Sequence, residues 1–137
     1  MSVRYLVDTN VLLRFLTGEP VDQALAVKAL FARAAEGKIL LDVSPVVVAE
    51  TMYTLLSYYE IERQDAVEKL QKLLRRPGFK VRDDTEVFSA LERLSITNAG
   101  FADAFLAAMG AGEGIAVASF DRDFDKFKDV KRFEPTV

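Results

Sequence analysis

The chain contains no cysteine and no histidine among its 137 residues. Without cysteine it can build neither a disulfide framework nor a thiolate site, and a reducing, cytoplasmic setting is expected. Without histidine it lacks the commonest general base near neutral pH and the commonest zinc ligand. Hydrolytic chemistry is therefore confined to carboxylates, lysine, hydroxyls and metals held by oxygen. Long apolar runs are missing as well: nothing approaches the roughly 18 residues of a membrane helix, so no membrane association is expected. The opening "MSVRYLVDTN" has too short an apolar run for a signal peptide and no small-residue cleavage site. An excess of basic charge is also absent, and a net charge of -3 argues against a protein that simply coats nucleic acid.

What is present suits one globular domain spanning residues 1–137, with 50% hydrophobic and 28% charged residues. The charge is unevenly spread. The stretch "IERQDAVEKLQKLLRRPGFKVR" (61–82) carries seven basic and three acidic residues, a net of +4, which leaves -7 on the rest. A basic arm on an acidic body suits phosphate binding, and it equally suits a solvated helix face.

Patterning predicts alternating strands and helices. "VRYLVD" reads as a buried strand stopped at Asp8-Thr9-Asn10, and "NVLLRFL" as a short helix. A helix is predicted over Asp22–Glu36 with Gly37 at its end, then a strand over Lys38–Val43. Ser44 and Pro45 form an N-cap and first-turn pair opening a helix to about Tyr59. Further helices are expected over Arg63–Arg75, in "DDTEVFSALERL" and in "GFADAFLAAMGAG"; "FKVR" and "IAVAS" read as strands, "FDRDFDKF" as a turn with a short helix, and "KRFEP" as an edge strand. This alternation points to a parallel sheet covered on both faces, with any ligand beyond the carboxyl ends of the strands.

Four acids stand out against that frame. Asp8 ends the first strand and Asp121 follows the fourth, where capping an orphan helix N–H is the competing explanation. Glu50 lies mid-helix with Val46, Val47, Tyr53 and Thr54 three and four positions away, so it is partly buried unless that helix edge is open. Asp103 has Ala99, Gly100, Leu106 and Ala107 around it and no base within a turn; the helix dipole alone would also favour it. Taken together in a chain without histidine, these carboxylates offer an oxygen-only donor set, which selects hard cations such as Mg²⁺ or Mn²⁺. Ions of that kind acidify water and neutralise charge growing on phosphorus.

"YLVDTNVLLRFL", "SPVVVAET" with Glu50, "GFADAFLAA" with Asp103 and "VASFDRDF" with Asp121 together resemble the PIN-domain family over nearly the whole chain, most closely its VapC-type toxins of toxin–antitoxin pairs. The resemblance implies a three-layer α/β/α domain with a mainly parallel four- to five-stranded sheet. It further implies an Mg²⁺- or Mn²⁺-dependent endoribonuclease that cuts single-stranded RNA and leaves 5′-phosphate and 3′-hydroxyl ends. Asp8, Glu50, Asp103 and Asp121 match the metal-binding, catalytic acids, with Asp123 as an auxiliary. Thr9, Asn10 and Ser119 match polar positions that orient them. A homodimer and an inhibitory antitoxin partner follow from the same likeness. Lys69, Lys72, Arg75, Arg76, Lys80 and Arg82 are the candidates for receiving RNA phosphates.

Other readings are weaker on particular residues. "DRDFD" spaces Asp121, Asp123 and Asp125 as in a calcium loop, but Lys126 and Arg132 stand where that loop needs glycine and glutamate. A magnesium-dependent phosphatase wants a second acid where Asn10 stands. A receiver-like phospho-acceptor wants an acid pair by the first strand, where there is only Asp8. A catalytically silent PIN-like scaffold or binding module predicts a missing acid, and all four are present.

Overall fold

The computed structural model describes residues 3–137, which form two compact units dividing at Asp83/Asp84. In the first unit the order is β1 (Val3–Leu6), α1 (Thr9–Thr17), α2 (Val21–Ala35), β2 (Ile39–Val43), α3 (Pro45–Ser57), α4 (Arg63–Leu74) and β3 (Phe79–Val81). Strands β1, β2 and β3 pair side by side in that order, all parallel, with Leu6 opposite Asp42 and Asp42 opposite Lys80. Strand alternation turns Ile39, Leu41 and Val43 of β2 to one face, where all three are buried. Leu12, Val48, Met52, Leu55, Val67 and Leu70 from the helices are buried with them. Phe31 of α2 lies between Phe15 of α1 and Phe79 of β3, with ring centroids 4.9 Å away on each side. Offset and edge-to-face geometry of this kind adds to simple burial.

The helix starts follow local chemistry. Ser44 Oγ accepts from the backbone of Val46 at 3.1 Å and of Val47 at 3.4 Å, with Pro45 in the first turn, as the sequence predicts. Glu62 caps α4 by accepting from Gln64 and Asp65, each at 3.0 Å. Helix α1 ends where Gly18 turns left-handed at φ 74° and donates to the Arg14 carbonyl.

The second unit holds α5 (Asp84–Leu94), α6 (Phe101–Glu113), β4 (Val117–Ala118), a 3₁₀ turn (Arg122–Lys126) and β5 (Arg132–Phe133). Helices α5 and α6 pack together, and their small and branched side chains Val87, Ala90, Leu91, Ala104 and Ala107 are fully buried. Phe124, Phe127 and Val130 pack with Ala107 in an apolar cluster. Strand β5 pairs parallel with β4.

Two expectations change. Among the described residues the strands pair in two parallel ladders, three in the first unit and two in the second, where one sheet of four to five was expected. β4 and β5 are two residues each and pair with one another. Strand β1 was expected to be buried, yet Val3, Tyr5 and Leu6 are exposed, on the strand that stands first in its ladder. Among the described residues no helix is long and apolar enough to cross a membrane.

Candidate active site

Asp8 stands one residue beyond Val7, whose N–H donates to the Asp42 carbonyl at 2.9 Å and so fixes the end of β1 against β2. Its backbone is extended and its Oδ1 accepts from the Thr9 N–H at 2.8 Å, so it caps α1. The capping explanation is thus correct and incomplete: Oδ2 makes no hydrogen bond among the described residues. Thr9 is buried and its Oγ1 has no hydrogen-bond partner there. A buried hydroxyl without a partner is uncommon and leaves a donor and lone pairs beside Asp8. Asn10 follows, exposed, in the first turn of α1.

Glu50 lies on α3, which packs against α1 in the same unit. Burial was one expectation for it; instead it is exposed, with Val46 and Tyr53 on the same open edge at 66% and 72%. Positions 46, 50 and 53 share a helix face, and that face is the one α3 does not bury. Exposure removes the need for a compensating partner, and Glu50 has none among the described residues.

In the second unit Asp103 occupies the first turn of α6, half-buried, with no ion pair of its own there. Asp121 caps the 3₁₀ turn: its Oδ1 accepts from the Asp123 N–H at 2.9 Å, and the Ser119 Oγ accepts from its own N–H at 2.9 Å. Asp103, Asp121 and Asp123 line one shallow recess with Ala99, Phe124 and Phe127. Asp123 also meets Lys126 at 3.2 Å. Three of the five predicted acids therefore share a recess. Among the described residues no three acids approach closely enough to form a metal-holding cluster. The donors nevertheless suit a hard cation, since they are oxygen throughout and Asp8, Glu50 and Asp103 carry no competing cationic partner.

Two features escaped the sequence. Asp42, buried mid-strand in "KILLDV", meets Arg4 and, at 3.4 Å, Arg82 through Oδ2, while its Oδ1 has no partner. Burial pushes this carboxyl up, but the hydrogen bonds and charges of Arg4 and Arg82 outweigh that and hold it below its ordinary value. Arg82, expected to face phosphate, is thus shared with a carboxylate. In the second unit Arg93 grips Asp129 through two hydrogen bonds of 2.9 and 2.6 Å and lies 5.1 Å over the Phe127 ring. The Arg93 hydrogen bond holds the Asp129 carboxyl low. These two and Lys126 border a cleft of about 520 Å³ that includes none of the predicted acids. An acid in an apolar strand was the only signal for Asp42; its partners lie 38 and 40 residues away.

A model of the PIN-domain family matches residues 5–130. The chain belongs to the PIN-domain family. That match spans both units and includes Asp8, Glu50, Asp103, Asp121 and Asp123. A VapC ribonuclease of Aquifex aeolicus (strain VF5) is 31% identical over 132 residues, covering 94% of this PIN protein and 97% of that one. Among solved structures, a chain in the crystal structure of VapBC2 from Rickettsia felis bound to a DNA fragment from their promoter superposes with a TM-score of 0.40. Its identity is 15%, over 96% of this chain and 98% of that chain.

Proposed function

We propose that this PIN-domain protein is a divalent-metal-dependent endoribonuclease that cuts single-stranded RNA and serves as the toxin of a toxin–antitoxin pair. The observation that carries the reading is the gathering of Asp103, Asp121 and Asp123 on one recess, inside a span that aligns almost end to end with a VapC ribonuclease. Asp8, Glu50, Asp103 and Asp121 are the acids that hold Mg²⁺ or Mn²⁺, and Asp123 assists them. When bound, such an ion lowers the pKa of a water and neutralises charge developing on the phosphoryl oxygens. The chain's own part is to fix the donors. Capping holds Asp8 and Asp121 each by one oxygen and leaves the other without a hydrogen bond among the described residues; the Ser119 hydroxyl pins the Asp121 backbone; Thr9 follows Asp8 with its hydroxyl unpartnered; and Asn10 stands one position further on. Lys69, Lys72, Arg75, Arg76, Lys80 and Arg82 supply positive charge for the RNA backbone. A cytoplasmic homodimer blocked by its cognate antitoxin completes the proposal.

The test is to sequence RNA ends after induced expression of wild type, Asp8→Asn and Asp103→Asn. Asparagine caps a helix about as well as aspartate, so Asp8→Asn should fold and stay within about 0.5 kcal/mol of wild type. Wild type is expected to create new 5′-phosphate ends at defined positions, and both variants to create none. New ends of equal abundance in a variant would remove that acid from the site. Their absence in wild type would remove the nuclease reading.

A further inference from the structure

In the second unit the segment that carries Asp121 and Asp123 is gripped by one side chain, Arg132 of β5. Its Nε and Nη2 donate to the two carboxylate oxygens of Asp125 at 3.1 and 3.3 Å. Its Nη1 donates to the Ser119 carbonyl at 3.1 Å and to Glu134 at 2.9 Å. Ser119 and Asp125 stand on either side of Asp121 and Asp123, so one guanidinium closes both ends of the segment 119–125. The Arg132 side chain is only 14% exposed, whereas those of Asp125 and Glu134 lie half in solvent. Ser119 is thereby engaged at every polar group: its N–H donates to the Phe133 carbonyl at 3.0 Å, its carbonyl accepts from Arg132, and its Oγ accepts from the Asp121 N–H. Packing contributes little between those ends. Phe120, Asp121 and Arg122 are exposed, Asp123 is half-buried, and only Phe124 is buried.

We infer that Arg132 is a positioning residue for the divalent ion: by bridging Ser119 and Asp125 it fixes the turn that presents Asp121 and Asp123, without bonding to either of them. The inference rests on the metal-dependent reading above and adds a basic residue to its acids. Three carboxylates within five residues repel one another and tend to splay the turn. A cation paired with the donor acids would relieve that repulsion but compete with the ion, as Lys126 does at Asp123. Arg132 pairs instead with Asp125 and Glu134, which lowers the charge around the turn and leaves the recess acids to the ion. Its planar fork reaches both oxygens of one carboxylate, which the single ammonium of a lysine does not reproduce. An arginine that served only to attach β5 would have no need to grip both ends of the acid-bearing segment.

Mn²⁺ binding to the whole chain, without RNA, is measured from the free-ion signal in electron paramagnetic resonance, alongside the metal-free Tm. Arg132→Lys keeps the charge and loses the fork. Asp125→Ala opens the same bridge from its exposed end, and Glu134→Ala removes an equal charge from Arg132 outside the turn. Arg132→Lys and Asp125→Ala are expected to raise the Mn²⁺ Kd about tenfold, the lower end of what loss of a ligand-orienting group costs, and Glu134→Ala to leave it within about twofold. A wild-type Kd in Arg132→Lys or in Asp125→Ala overturns the inference whatever the Tm does, because a residue serving the fold alone lowers the metal-free Tm and spares the Kd. So does a Kd raised equally by Asp125→Ala and Glu134→Ala, since charge and not the bridge would then be the cause. If Arg132→Lys does not fold, Asp125→Ala decides, because that side chain is half exposed. Asp121→Asn keeps the two claims apart: Mn²⁺ binding weakened there, beside a wild-type Kd in Arg132→Lys, sinks the bridge and leaves the ion site standing. A wild type that binds no Mn²⁺ removes the ion site and the inference with it.

Discussion

At the scale of single residues, the first unit's most constrained charge is one that the proposed chemistry does not use. The Asp42 side chain is 4% exposed while its partners Arg4 and Arg82 are 51% and 54% exposed. Replacing one member of a fully buried pair costs about 3–5 kcal/mol because the other is stranded. Here the stranded guanidinium groups can reach water, so Asp42→Asn should cost less, about 1–3 kcal/mol at pH 7. The sign of the pH dependence follows from the lowered folded-state pKa. A carboxylate more acidic in the folded than in the unfolded chain stabilises fully above its ordinary value of about 4, and that contribution fades as pH falls through the depressed one. Urea denaturation from pH 7 to pH 2 should therefore show wild type and Asp42→Asn converging below about pH 4. A gap of constant size would mean that packing, and not the charge, is what the substitution disturbs.

At the scale of elements, close approaches are set by glycine. Gly78 precedes β3 at φ 90°, and a Cβ there would stand 2.6 Å from the Ala34 Cβ at the end of α2. Its carbonyl also accepts from the Leu41 N–H at 2.8 Å, so it cannot move without disturbing β2. Gly78→Ala combines a left-handed backbone with a clash against a helix end, and should cost about 2–4 kcal/mol by thermal or urea unfolding. A loss under 1 kcal/mol would show that the α2–β3 approach relaxes freely. What the sequence disclosed at this scale was local. Ser44-Pro45, Gly37 and the small residues of α6 mark their elements because caps and turns depend on neighbours within four positions. Gly110 in α6 has the Ile115 carbonyl 2.7 Å from where its Cβ would stand, so the chain folds back closely over the end of that helix. Hidden from the sequence was everything decided by partners far along the chain. An apolar run shows that β1 favours burial, but not that Val3, Tyr5 and Leu6 end exposed. The same limit hid Asp42, whose arginines become its neighbours only through strand register. Of the proposed site, each candidate acid could be named from the sequence; the sharing of one recess by Asp103, Asp121 and Asp123 could not.

At the scale of the whole molecule, the acids make a demand that binding thermodynamics can read. The chain carries -7 outside its basic stretch and has no histidine or cysteine to bind a divalent ion when unfolded. A cation that binds the folded protein alone raises its stability by about 2.7 kcal/mol at a hundredfold excess over Kd. For a chain of this size that corresponds to a rise in Tm of several degrees. Mn²⁺ should produce such a rise in wild type, measured by calorimetry at fixed ionic strength. Asp103→Asn should lose most of it while melting, without metal, within about 1 kcal/mol of wild type, since only the α6 dipole favours the charge in the folded state. This combination separates a carboxylate that serves an ion from one that serves the fold, because a structural acid would lower the metal-free Tm and leave the Mn²⁺ increment intact. Equal increments in the two proteins would take Asp103 out of the ligand set.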